Sequence, residues 1–130
     1  MEKLERIIEW TKLKIRIELS LNRNVYFHER EIWWVNLGAN VGFEQDGKNK
    51  NFERPVLILR KFGPNIFWGL PLSSKEKGGR FYYSISYKNK NYSILLTQLK
   101  GISNKRLIRK LRRISKSQFK EVRNKIKDLL

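Results

Sequence analysis

The sequence predicts an α+β fold, a small antiparallel β-barrel or meander framed by an N-terminal and a C-terminal helix. Three observations lead there. Apolar residues recur at helical spacing at both ends of the chain, short β-branched and aromatic segments run between them, and Gly, Pro and Asn turns separate those segments. At 130 residues the chain has room for one modest core, so it is expected to be a single domain.

The elements follow in order. Over residues 2–21, Leu4, Ile7, Ile8 and Ile15, with Thr11 between them, fall on one face while Lys, Arg and Glu fill the others, which predicts an amphipathic helix. Its apolar stripe is expected to cover the following sheet or a second subunit. Residues 27–37 turn aromatic and β-branched around Ile32-Trp33-Trp34-Val35, the heart of a first strand that Gly38 and Gly42 break. The connection 38–53 is long for a hairpin. It holds the Gly-rich acidic stretch Val41-Gly42-Phe43-Glu44-Gln45-Asp46-Gly47, and such length in a small domain goes with function or disorder.

Pro55 opens the second predicted strand, and Val56-Leu57-Ile58-Leu59 is an apolar run suited to burial on both sides. Gly63-Pro64-Asn65 turns the chain into 66–72, which ends at Pro71-Leu72-Ser73-Ser74. Beyond a polar loop at 75–80, strands are expected at 81–86 and 92–97 with a turn at Asn89-Lys90-Asn91. Five successive strands suggest the meander or barrel. From Lys100 onward basic residues dominate, yet Leu107, Ile108, Leu111 and Ile114 mark a buried side. Ser115 with Gln118 fits a capping box ahead of a terminal helix whose stripe is Phe119, Val122, Ile126 and Leu129.

The formal net charge of +17 and pI near 10.4 point to polyanions or acidic proteins as partners. With 40% apolar and 12% aromatic residues the chain should nevertheless fold. The absence of cysteine excludes disulfides, thiolate metal sites and thiol nucleophiles, and a reducing cytoplasm is the simplest home. No apolar run approaches the roughly 20 residues that cross a bilayer, and the N-terminus carries no signal-peptide core, so a soluble intracellular protein is expected.

Taken in order and spacing, Glu31-Ile32-Trp33-Trp34-Val35-Asn36-Leu37-Gly38, Gly42-Phe43-Glu44-Gln45, Arg54-Pro55-Val56-Leu57-Ile58 and Pro71-Leu72-Ser73-Ser74 resemble the PemK/MazF family of toxin endoribonucleases. Ile94-Leu95-Leu96-Thr97-Gln98-Leu99 and Ile102-Ser103-Asn104-Lys105-Arg106-Leu107 continue the likeness. The resemblance implies an SH3-like β-barrel of the CcdB/PemK type over 27–130 with a C-terminal helix, preceded by a helical extension at 1–26. It further implies a homodimer, sequence-selective cleavage of single-stranded RNA with no metal or other cofactor, and an acidic antitoxin as partner.

Metal-independent RNA cleavage can use the substrate's own 2′-hydroxyl, and the protein must then accept its proton, steady the phosphate and serve the leaving oxygen. Arg54 matches the family's loop arginine, and a guanidinium grips phosphate oxygens in a bidentate fork. The lesser alternative for Arg54 is an ion pair with Glu44, Asp46 or Glu53. Ser73 stands where the family carries a threonine or serine at a strand end, with Ser74 and Lys75 beside it; as a turn residue it would cap that strand end instead. Glu44 is the acid of the family's loop, a proton acceptor or a loop-ordering group, and Gln45 beside it can read a base edge.

Three positions depart from the family pattern. Phe43 replaces a histidine of some members and can stack on an unpaired base. Leu95 and Thr97 replace an arginine and an acid of the final strand, leaving Thr97 and Gln98 as RNA contacts rather than acid–base groups. His28, the only histidine, lies outside the motifs and is read as structural. Trp33, Trp34 and Trp68 are read as core or dimer-interface residues, and only one of Tyr82 and Tyr83 can face outward from a strand. A toxin of the same fold that inhibits DNA gyrase without cleaving RNA, and an RNA-binding homologue with impaired catalysis, are the competing expectations.

Overall fold

The computed structural model describes residues 3–20, 25–38, 47–48 and 52–130. Two helices flank a curled antiparallel sheet that forms a half-barrel. Among the described residues the order is α1 (Lys3–Leu19), β1 (Glu31–Asn36), β2 (Glu53–Lys61), β3 (Ile66–Ser73), β4 (Tyr82–Tyr87), β5 (Lys90–Leu95), β6 (Lys100–Ser103), a 3-10 turn (Asn104–Arg106), β7 (Leu107–Arg113) and α2 (Lys116–Leu129).

The sheet runs β4-β5-β3-β2-β1-β7, with β6 also paired to β3. The curl comes from β3, whose first part pairs with β6 and whose last residues, Leu72 and Ser73, pair with Ile94 and Ser93 of β5. Alternation in β2 then fills two cores. Leu57 and Leu59 join Ile32, Leu70, Ile94 and the α2 residues Phe119 and Val122 on one face, while Val56 and Ile58 join Phe27, Val35, Phe67, Ile102 and Leu107 on the other. The apolar run is buried on both sides as its composition implies.

α2 starts where the capping pattern places it, since Ser115 Oγ accepts the Gln118 N–H at 3.1 Å. Elsewhere the sequence reading needs correction. There are seven described strands rather than five: the basic stretch after Lys100 supplies β6 and β7, and β7 pairs with β1. Pro55 is the third residue of β2, not its first. The β4–β5 turn sits at Lys88-Asn89, both at positive φ, one residue before the expected one.

The expectation that the α1 stripe covers its own sheet also needs correction. Leu4, Ile7, Ile8 and Ile15, read as its covering stripe, are 67%, 40%, 45% and 55% exposed, whereas Trp10 on a different face is buried. Helical periodicity locates apolar faces but not the packing surface, and the one bulky aromatic chose it. The α1 C-terminus is held by Lys105, whose Nζ donates to the Glu18 carbonyl at 3.0 Å.

Candidate functional site

Arg54 lies on β2 immediately after the long β1–β2 connection and is buried. Its Nη1 donates to the Leu72 carbonyl of β3 at 3.1 Å, so the guanidinium reaches the strand end that carries Ser73. The β2–β3 register pairs Val56 with Pro71, and continuing it by two residues sets Arg54 opposite Ser73. Two positions 19 residues apart in sequence thus meet because antiparallel strands return side by side.

The Ser73 hydroxyl accepts the Lys75 N–H at 3.2 Å, which orders the start of the exposed Ser74-Lys75 segment. Ser73 thus orders the turn at this strand end and stands across from Arg54 in the extended register. Its cross-strand neighbour Ser93 is fully buried and accepts the Lys77 N–H at 2.9 Å. Lys77 Nζ in turn lies 5.6 Å from the Tyr82 ring centroid. Ser93 and Lys77 were not singled out from the sequence, because only the register of β3 with β5 brings them to Ser73.

Thr97 and Gln98 occupy the turn after β5, where the Gln98 N–H donates to the Leu95 carbonyl at 3.2 Å. Phe43, Glu44 and Gln45 lie outside the described residues, as does Asp46. Glu53, next to Arg54, is buried and accepts from Arg109 Nη2 of β7 at 3.0 Å; Arg109 also stacks 4.9 Å from the Trp34 ring centroid. Tyr83 faces α2 and donates to Glu121 at 3.1 Å. Trp33 is core, whereas Trp68 is 46% exposed in an edge contact with Phe62, at a groove of about 380 Å³ that Arg123 and Lys127 of α2 help to line.

His28 has its place in the turn before β1, where its backbone N–H donates to Glu31 Oε1 at 2.8 Å. Glu31 is itself buried and gathers the Trp33 indole N–H at 3.0 Å, with Arg113 at 3.4 Å and Lys110 at 3.5 Å. Burial pushes its carboxyl up, but the Trp33 and His28 donors and the two cations outweigh burial and hold it below the ordinary 4.5. Among the described residues no three His, Asp or Glu side chains cluster as metal ligands.

Residues 28–130 match the family described as PemK-like, MazF-like toxin of type II toxin–antitoxin system. The chain belongs to that family. This PemK/MazF-like chain is similar in fold to the crystal structure of MazF from Deinococcus radiodurans, with TM-score 0.64 and 21% identity over 81% of this chain and 97% of that one. It is also similar to the Mycobacterium tuberculosis toxin MazF-mt6, with TM-score 0.59 and 17% identity over 76% and 94%. A mycobacterial endoribonuclease in complex with its cognate antitoxin follows with TM-score 0.61 and 8% identity over 79% and 93%. No curated protein matches the chain. The PemK/MazF match begins after α1, so the helix lies outside it while the residues it touches, Gly38, Gly47, Phe52 and Lys105, lie within it.

Proposed function

We propose that this PemK/MazF-like toxin cleaves single-stranded RNA by attack of the substrate's 2′-hydroxyl on the adjacent phosphorus. The observation that supports it best is the convergence of Arg54 on the Ser73 end of β3. The 2′-oxygen forms a bond to phosphorus and loses its proton to Glu44 or water. The bond to the 5′-oxygen breaks, and that oxygen takes up a proton, leaving a cyclic phosphate. Arg54 steadies the added negative charge, Ser73 and Ser74 donate to phosphate oxygens, and Lys75 adds a cation. Phe43, Gln45, Thr97 and Gln98 supply base contacts.

An acidic antitoxin fits a protein of net charge +17, and two of the similar structures are complexes, one with a cognate antitoxin and one of MazE with MazF. We further propose a homodimer. The test is incubation of the purified protein with a long single-stranded RNA in EDTA beside Arg54→Ala. Cleavage by the wild type and loss of at least about 100-fold in the variant is expected. Equal cleavage by both removes Arg54 from catalysis. No cleavage together with blocked gyrase supercoiling replaces the RNA reading by an inhibitor.

A further inference from the structure

Phe52 precedes β2 with φ +50, a left-handed conformation that is costly for a residue with a Cβ. Two α1 side chains pack on its ring. The Arg6 guanidinium lies 4.1 Å from the Phe52 ring centroid, and the Trp10 ring lies 5.6 Å away at a tilt of 50°. The Phe52 carbonyl accepts from Leu37 at 2.8 Å and Gly38 at 3.1 Å, which closes the end of β1 onto the start of β2.

The same two α1 side chains reach both ends of the β1–β2 connection. Arg6 Nη2 donates to the Gly47 carbonyl at 3.2 Å, and the Gly47 N–H donates to the Gly38 carbonyl at 2.6 Å. Trp10 packs on Gly38 so closely that a Cβ there would lie 2.2 Å from the indole. Arg106 sits 5.5 Å from the Trp10 ring centroid, and Lys105 holds the Glu18 carbonyl, so α1 is fastened at the 3-10 turn as well. Arg54 lies two residues beyond Phe52.

We infer that α1 is a brace in which Trp10 and Arg6 are positioning residues for Arg54: they lock Phe52, and Phe52 sets where β2 begins and how the guanidinium meets the end of β3. The link to cleavage rests on the reading of Arg54 as the phosphate-gripping group. The bracing itself does not. A structural helix with no bearing on the site would contact the barrel anywhere, whereas this one places its one buried residue and a cation on the residues that flank the site strand.

The test compares Trp10→Ala, Trp10→Phe, Arg6→Ala and the exposed-face control Ile15→Ala in the full chain. It reads kcat and KM on single-stranded RNA and amide exchange at Gly38, Gly47 and Glu53, whose N–H groups close this junction. Trp10→Ala and Arg6→Ala are expected to lower kcat on the order of tenfold with little change in KM, and to speed exchange at the three amides. Trp10→Phe should restore most of both, and Ile15→Ala should match the wild type. Arg6→Ala keeps the packed indole and so reports even if Trp10→Ala fails to fold. Unchanged exchange, or faster exchange spread over the whole sheet, overturns the brace; local fast exchange with wild-type kcat overturns the link to Arg54. A wild type that cuts no RNA defeats the cleavage reading, and exchange then decides the brace alone.

Discussion

Arg54 and Ser73 differ in what their replacement should reveal. A lysine at position 54 keeps the charge but loses the planar fork, so Arg54→Lys should retain only about one hundredth of the cleavage rate, measured as single-turnover cutting of a fixed RNA. Ser93 separates packing from chemistry. It is buried and serves the Lys77 N–H, so Ser93→Ala should cost about 1 kcal/mol in urea unfolding by leaving that donor unpaired. Ser73→Ala should act chiefly on cleavage. Gly38 resists replacement: at φ +91 and against the Trp10 ring, Gly38→Ala should destabilise by more than about 2 kcal/mol in the same measurement.

At the level of elements, β1 and β7 are joined by ladder pairs and by a buried carboxylate. Glu31 on β1 draws Lys110 and Arg113 of β7 towards it, while Glu53 at the start of β2 takes Arg109 of the same strand. Because the folded Glu31 carboxyl titrates below its ordinary value, its stabilisation is complete above about 4.5 and is lost as pH falls through the folded value. The difference in urea midpoint between wild type and Glu31→Gln should therefore be largest near neutrality and shrink below about pH 4.5. A midpoint difference that stays constant with pH would show that the cations do not stabilise the charged form. α2 offers a simpler case: the Ser115 cap was legible from four residues, because capping is a local geometry.

For the molecule as a whole, charge is the governing quantity. With +17 spread over 130 residues and most of the β7 and α2 cations exposed, RNA affinity should fall steeply with salt. A plot of log affinity against log salt should be linear with a slope near −0.7 per phosphate neutralised, read by fluorescence anisotropy of a labelled single strand. A flat plot would mean that the basic surface does not meet the phosphate backbone. The apolar side of α1 adds nothing to that field; Leu4, Ile7, Ile8, Ile15 and Leu19 are exposed on this chain while Trp10 makes the attachment.

Residue order alone specified the family, the two helices, the two-sided burial of β2 and the candidate pair Arg54 and Ser73, because periodicity, capping and motif spacing are local properties. It specified neither β7 nor the face by which α1 packs. The Arg-rich segment 107–113 reads as a basic stretch with a buried side, and becomes a strand only where β1 supplies a pairing edge; an apolar stripe records hydrophobicity without saying what lies opposite. Nor could spacing show that Ser93 abuts Ser73, or that Arg6 and Trp10 bear on Phe52. Those juxtapositions depend on strand register and on contacts between residues more than 40 positions apart in the α1 case, and such contacts exist only once the chain has closed upon itself.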